Sequence, residues 1–461
     1  MVDLKPRPPA VTVALLVLIF TTSAWADKLD FKQCVDLALS QNPDLAISQA
    51  QIQQAEAALK QAQSNRLPRL NLSLTGTRTN DALNVFGLTL TQRNTTFNDF
   101  GAGEYTGLSS LDVAPKNLNY PDPVNNFNTR IELLVPVYNG GRVQSYVDNA
   151  KAYVRAAQQG DEMAKQLLTK QVLMAYQGVH TARAYIKLAV QAKAAAEEYV
   201  RITDRLLQQG MTVKSDLLSA RVNLADIKVK LASAHNAEAS ALDQLHLLLG
   251  KPLNDPLDVG APVMPAFLAG SDAELQAQAM SGNAGLRALR SQLEGAGAQV
   301  SAAQAGKLPQ FNFMLRQDWN DPTLGFESSS YTLAGVLSWT AFDGGSTRAA
   351  IDRAESQRSE LAARLRQAED GIGYQVADAR RKVLEVQDKI ALREAAQELA
   401  MEAQRLVKKR YENGIATLVE LLAAQTQLDK SNADLVAEQY ELAVNRAELR
   451  RAAGVLTTDQ L

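Results

Sequence analysis

The sequence predicts a mixed α and β membrane protein made of two tandem structural repeats. Each repeat carries two transmembrane β-strands and long coiled-coil α-helices. Three observations support this: a stretch that recurs 204 residues later, long proline-free segments with a seven-residue apolar period, and four short segments with a two-residue period. The repeat comes first, because a missed repeat misassigns the whole fold. Residues 208–224, QQGMTVKSDLLSARVNL, match residues 412–428, ENGIATLVELLAAQTQL. Gly210 aligns with Gly414, Asp216 with Glu420, and Leu217 and Leu218 with Leu421 and Leu422. The same shift pairs Gly140 and Gly141 with Gly344 and Gly345, and Gly250 with Gly454. Upstream the shift is 241, pairing Asn42 with Asn283 and NRLPRLN (65–71) with GKLPQFN (306–312), hence Pro68 with Pro309. The first copy therefore carries 37 extra residues between its LPxxN and its GG.

Residues 1–26 read as a secretory signal. Lys5 and Arg7 form the basic part, Ala10 to Phe20 the apolar part, and Ala24-Trp25-Ala26 the cleavage site before Asp27. The apolar run is too short for a transmembrane helix, which needs ~20 residues. No later run is long enough either, so a helical span is not expected. A lone Cys34 permits no intrachain disulfide and is expected as a small buried helix residue. The formal charge of −2 becomes −3 without the signal, and no basic block stands out, which argues against nucleic acid as a partner.

From the cleavage site onward, residues 27–67 are expected as first-repeat helices. Pro68 ends them, since proline lacks a donor and clashes with the preceding turn. Residues 68–139 hold strands one and two with a long polar loop over 76–128. Their alternating apolar positions are Leu70, Leu72, Leu74 and then Ile131, Leu133, Val135, Val137. Period two gives a strand one apolar and one polar face. Gly140 and Gly141 allow the sharp change back into helix. Residues 140–250 form long helices with a turn near 208–216. Leu217, Leu224, Leu231 and Leu245 keep a seven-residue spacing, the mark of left-handed supercoiling. Residues 251–271 are a linker and 272–308 the second-repeat helix. Residues 309–343, from Pro309, hold strands three and four with a short loop, including Phe311, Phe313, Leu315 and Tyr331, Leu333, Leu337, Trp339. After Gly344 and Gly345, residues 344–454 repeat the long helices with a turn near 412–420, and Leu421, Leu428, Leu435, Leu442 and Leu449 again fall every seven. Residues 455–461 are a tail.

The four alternating segments are about the 9–11 residues a transmembrane strand needs, with Tyr138, Trp319, Trp339 and Phe342 near their ends. A soluble four-stranded sheet packed on helices fits the same alternation; the export signal and the long loop favour the membrane. Four strands close no barrel, and open edges in lipid leave unsatisfied N–H and C=O groups, so several chains must share one. Catalysis has little support. His180, His235 and His246 lie in helical segments without metal-ligand spacing, and there is no phosphate loop, so no enzyme activity, cofactor or metal site is expected.

The chain resembles the TolC family of outer membrane factors over the whole mature length, Asp27 to Leu461. The resemblance rests on LDFKQCVDLALSQNPDLAISQAQIQQAEAALKQAQ (29–63), the LP strand starts, the GG strand ends and the two turns, with RYENGIATLVELLAAQ (410–425) the most specific. It implies a homotrimer with a 12-stranded β-barrel in the outer-membrane lipid, continued by a periplasmic α-helical barrel. It further implies a passive exit duct of a tripartite efflux pump or type I secretion system, working with a periplasmic adaptor and an inner-membrane pump of RND or ABC type. The two turns would be the periplasmic tips, contacting the adaptor through Gly210, Leu217, Leu218, Gly414, Leu421 and Leu422. Tyr411 matches a gate tyrosine, Glu420 a pore-lining acid, and Ser215 and Asp216 their partners. Ala416 stands where the family has a gate arginine, Ala423 where it has a second acid, and Leu207 at the first copy's tyrosine position. Closure is then expected to rest on Tyr411 packing and hydrogen bonds. Glu420 leaves two readings open: a threefold carboxylate ring attracting cations, or a cap at a helix start. The rival from another class is a soluble periplasmic coiled-coil scaffold or adaptor.

Overall fold

The computed structural model describes residues 28–457; the expected signal at 1–26 and the last residues of the tail lie outside the described residues. In chain order the elements are β1 (Lys28–Leu29), α1 (Phe31–Gln41), α2 (Pro43–Ser64), β2 (Arg69–Thr79), α3 (Ala82–Thr91), α4 (Lys116–Asn119), β3 (Val124–Tyr138), α5 (Arg142–Gln208), α6 (Lys214–Leu249) and β4 (Asp258–Val259). There follow α7 (Asp272–Gly282), α8 (Ala284–Gln304), β5 (Gln310–Asp321), β6 (Ser329–Ser338), α9 (Ser346–Glu412) and α10 (Leu418–Ala452). The repeat is visible in the lengths: α5 and α9 each have 67 residues. It is visible also in the caps. Asn42 accepts the Asp44 N–H at 2.8 Å with Pro43 opening α2, and Asn283 accepts the Leu286 N–H at 3.2 Å to open α8. A side-chain oxygen there satisfies one of the donors that a helix start leaves free.

The chain divides into two compact units. The first comprises the chain up to Ser40, Gln171–Met264 and Lys389–Ala443. In it β1 and β4 pair in parallel. Tyr176 is fully buried, meets Phe31 edge-on at 5.6 Å between ring centroids, and donates its hydroxyl to the Ala261 carbonyl at 2.9 Å. Arg183 donates to Glu238 and to Asp258, each at 2.7 Å, fastening β4 to α5 and α6. Both ring nitrogens of the buried His246 lie 2.8 Å from carbonyl oxygens, of Leu242 and Asp255, so this histidine holds the start of the linker. Cys34 is completely buried in α1, and burial pushes its thiol up to about 12, leaving it inert as a nucleophile.

The second unit comprises Gln41–Lys170, Pro265–Asp388 and the chain from Val444. Its sheet has the order β2-β3-β5-β6, antiparallel throughout, with β2 and β6 as its edges. The register sorts the faces. Leu70, Leu133, Leu315 and Leu333 form one row across all four strands; Ser73, Arg130, Asp318 and Ser330 form another, on the opposite face. The apolar face is bare in the protomer, Leu72 being 72% exposed. The polar face is cross-linked: Arg130 donates to Asp318 at 2.7 Å, Asn128 donates to it at 3.1 Å, and Arg316 lies 2.7 Å from its other oxygen. The strands have 11, 15, 12 and 10 residues, so each is long enough to span a bilayer.

Two departures from expectation have local causes. Helix α2 ends at Ser64, short of Pro68: Asn65 caps it by donating to the Ala62 and Gln63 carbonyls, Pro68 keeps Leu67 from continuing the helix, and β2 pairing takes over at Arg69. The segment expected as a loop over 76–128 is shorter and built. Strand β2 runs to Thr79, β3 starts at Val124, and between them lie α3, α4 and 3-10 turns. The Asn, Asp and Thr residues that suggest irregular chain act there as caps. Asp81 accepts the Asn84 N–H at 3.0 Å, Asp99 accepts from Thr96, and Glu104 accepts the N–H groups of Lys116 and Asn117 at 2.7 and 3.0 Å.

In the second unit the buried Asp161 ties α5 to α2. It accepts the Ser48 hydroxyl at 2.6 Å and pairs with Lys165 at 2.9 Å. Burial alone would raise its carboxyl, but hydrogen bonds from Lys165 and Ser48 outweigh it and hold the group below the usual carboxylate range. Its stabilisation is therefore present above the unfolded pKa and lost as pH falls through the folded one. Asp161→Ala is expected to cost about 1–3 kcal/mol at neutral pH. Thermal unfolding of the detergent-solubilised protein should show the gap from wild type closing under strong acid.

Candidate functional site at the paired helix turns

The two turns aligned by sequence are one structure built twice, and they touch. After α5, Gly210 has φ +72°; after α9, Gly414 has φ +70°. This left-handed backbone is cheap only for glycine. In each turn the next residue donates back to close the helix: Met211 N–H to the Leu206 carbonyl and Ile415 N–H to the Arg410 carbonyl, both 2.8 Å. This is the glycine helix stop in which a residue beyond the glycine reaches the last free carbonyls. A Cβ on Gly414 would lie 2.6 Å from the Met211 terminal methyl, so the two turns touch through that flexible side chain.

Beneath the turns lies a buried cluster of Tyr199, Ile202, Leu206, Ala220, Tyr411, Leu418 and Leu421. The aligned leucines separate here. Leu217 and Leu421 are buried, Leu422 packs at the cluster's margin, and Leu218 is half exposed. Tyr411 is 2% exposed. Its hydroxyl sits 2.7 Å from Thr203 Oγ1, which itself donates to the Tyr199 carbonyl at 2.7 Å; the Tyr411 O–H is therefore the donor to Thr203. Neither Ser215 nor Asp216 hydrogen-bonds to Tyr411, although the Asp216 charge acts on its hydroxyl: Asp216 accepts the Thr212 hydroxyl at 2.5 Å, and the Ser215 carbonyl accepts from Ser219 at 2.9 Å. Glu420 closes a cap at the start of α10, its N–H donating to Thr417 Oγ1 at 3.2 Å and its carboxylate accepting the same hydroxyl at 3.3 Å. The cation beside it is Arg410, 3.9 Å away, in the absence of an arginine at 416. Both side chains are about half exposed, so water screens this pair.

Above the cluster runs a polar chain that sequence reasoning missed. Gln404 of α9 donates to the Tyr199 hydroxyl at 2.5 Å, Tyr199 of α5 donates to Gln425 Oε1 at 2.6 Å, and Gln425 of α10 donates to Asp429 at 2.7 Å. A signal exists in hindsight: Gln404 and Tyr411 are seven residues apart on one face of α9, and Gln425 interrupts the apolar line from Leu421 to Leu428. Burial pushes the Tyr199 hydroxyl up to about 12. Burial also raises the Asp429 carboxyl, against the hydrogen bond from Gln425 and the charge of Lys230.

At the other predicted positions, Pro68 and Pro309 directly precede β2 and β5, and Gly140, Gly141, Gly344 and Gly345 follow β3 and β6 with φ between +65° and +91°. A Cβ on Gly140 would lie 2.9 Å from Leu308 Cβ, so the first strand exit packs against the second strand start. Among the described residues, no cluster of metal-binding side chains occurs.

Tyr199→Phe is expected to cost more than Tyr411→Phe. The first removes two hydroxyl bonds and leaves the half-buried Gln404 and the buried Gln425 with only their mutual bond at 3.1 Å and the Asp429 contact, about 1–3 kcal/mol; the second leaves Thr203 still bonded to backbone, about 1 kcal/mol. Denaturation of the two variants side by side checks the order. Asp429→Asn is expected to match wild type in acid and to exceed it increasingly as pH rises. The raised folded pKa means that above it the wild type carries a charge in a partly buried site, which the amide avoids. Melting temperatures across pH test that sign.

Comparison with known proteins agrees with this architecture. A family model described as outer membrane efflux protein matches residues 34–251 and 275–455. The chain is 23% identical over 327 residues to the probable efflux pump outer membrane protein TtgC of Pseudomonas putida, a match covering 68% of this chain and 66% of that relative. It is 26% identical over 445 residues to protein CyaE of Bordetella pertussis, covering 94% and 86%. Among solved structures, CusC superposes with a TM-score of 0.77 at 18% identity over 98% of both chains. The outer membrane protein VceC of Vibrio cholerae gives 0.74 at 17% identity over 92% of this chain and 96% of that one. Two matched segments that together take in both repeats, both turns and all four strands of the antiparallel sheet place this chain in the outer membrane efflux protein family.

Proposed function

We propose that the chain is the outer-membrane exit duct of a multi-component efflux or secretion system, acting as a homotrimer. The observation that carries this is the four-stranded sheet, with its bare leucine face, its internally bonded polar face and its two unpaired edges. In lipid, unpaired backbone groups cost several kcal/mol each, on the order seen for any buried unsatisfied amide, so the edges must meet those of identical neighbours. Three copies give twelve strands, with leucines toward lipid and the Arg130–Asp318 rows toward a water-filled bore. The duct is passive. An inner-membrane pump supplies energy, and a periplasmic adaptor docks at the paired turns, where exposed Leu218 and Val222 offer apolar contacts. Tyr411, with its bond to Thr203, and Glu420 lie where the gate would act. Relatives named for toluene and antibiotic efflux suggest small apolar compounds as cargo.

Cell fractionation tests this reading. The full chain is expected in the outer membrane, as a trimer that dissociates on heating before electrophoresis, and purified protein should open pores in planar bilayers. A soluble monomer would establish the rival, a periplasmic coiled-coil scaffold.

A further inference from the structure

The 37 residues that distinguish the first copy from the second remain to be explained. They fall in residues 80–123; the second copy joins β5 to β6 directly through 322–328. This segment is anchored at three points. Gln92, at the end of α3, donates to the Asn125 carbonyl at 2.8 Å and to Asn126 Oδ1 at 3.0 Å. Asn126 lies in register with the polar face, donating in turn to Asn320 at 3.0 Å, so α3 ends on that face rather than on the leucine face. On the far side of the sheet, Ser328 donates to the Gln92 carbonyl at 2.7 Å and Arg93 donates to the Ser329 carbonyl at 2.6 Å. The segment thus leaves from the edge strand β2 and is tied down at the start of the opposite edge strand β6, crossing the polar face between them. Arg93 holds φ +59°, a conformation that L side chains rarely adopt and that persists where surrounding bonds impose it.

The segment has its own small core. Phe86 meets Phe100 edge-on at 5.1 Å, and Val85 is buried. It also carries large apolar side chains with no cover: Leu83, Phe97 and Leu108 are each more than three-quarters exposed. An apolar patch of this kind in water marks a contact surface.

We propose that residues 80–123 form an inward-folded cap that narrows the outer mouth of the duct, the three copies meeting through these apolar side chains. The inference rests on the trimeric-duct reading above. In that assembly the polar face lines the bore, so a segment bonded across it projects into the opening. The neighbours abut at β2 and β6, the two strands the segment bridges, so the partner that its apolar side chains reach is the same segment of the adjoining copy. The polar strand rows below then form the bore, and the cap sets the entrance size from outside.

The test uses the purified full chain in planar bilayers. A variant with residues 95–120 replaced by a short Gly-Ser turn is expected to assemble as a trimer and conduct severalfold more than its parent. Phe97→Cys is expected to give covalent dimers with a short bismaleimide at the cell surface, one linker joining two of the three copies; the native Cys34 is fully buried and stays silent. Equal conductance of the shortened and parent trimers would overturn the cap. Labelling of the Phe97→Cys thiol without any covalent dimer would overturn the contact between copies. Should the shortened chain fail to assemble, Arg93→Ala, which releases the tie to Ser329, decides: raised conductance supports the cap and unchanged conductance rejects it. A parent that forms no trimer and no pore would instead defeat the duct reading, which separates the two failures.

Discussion

Backbone hydrogen bonding in a medium without water governs this protein. Strand β3 is satisfied on both sides by β2 and β5, and β5 by β3 and β6, but β2 and β6 each keep one edge open. On a soluble protein such edges would be shielded by charge, proline or a covering helix. Here β6 instead presents Tyr331, Leu333 and Leu337 on a face with no cover. In the proposed trimer the protomer is a fraction of a larger object, and closing the sheet with identical neighbours satisfies the backbone and covers the edges together. The proposed duct follows from that closure, because a cylinder with leucines outside and Arg130, Asp318 and Arg316 inside would be hollow and wet.

The helical part follows a different rule. Long helices with small residues pack closely, and their cores beneath the turns are mostly apolar. A polar chain from Gln404 through Tyr199 and Gln425 to Asp429 runs through that packing and joins α5, α9 and α10. Buried polar groups in such a chain are worth little net stability when all are satisfied but cost much when one partner is lost. They therefore fix which helix faces which. They also give the turn region a discrete set of bonds that must break if α9 and α10 move against α5. Tyr411 and Thr203 belong to the same set.

The junctions between strands and helices show how one plan serves twice. Proline precedes β2 and β5, and a glycine pair follows β3 and β6. Because Gly140 closes on Leu308, the first copy's exit is shaped around the second copy's strand start, and the two repeats are interlocked rather than merely consecutive. The extra segment of the first copy breaks the symmetry only on the far side of the strands, where no such interlock constrains it.

Much of this was legible in the residues alone. The 204-residue recurrence, the seven- and two-residue periods and the Pro and Gly-Gly punctuation determined the two repeats, the long helices, the four strands and both turns, because each depends on local backbone preference or on which residues share a face. The family followed from the order of those signals. Tertiary structure alone decided which polar side chains meet. Periodicity places Tyr411 on the buried face of α9 but cannot say that Thr203, 208 residues away, rather than Ser215 or Asp216, shares its hydrogen bond. It likewise cannot show that a segment rich in Asn, Asp and Thr folds back across the polar face, since Gln92 and Arg93 are specified only by the distant Asn126 and Ser329 that they reach. Local chemistry sets the elements; contacts far apart in sequence set the bonds between them, and those leave no periodic trace.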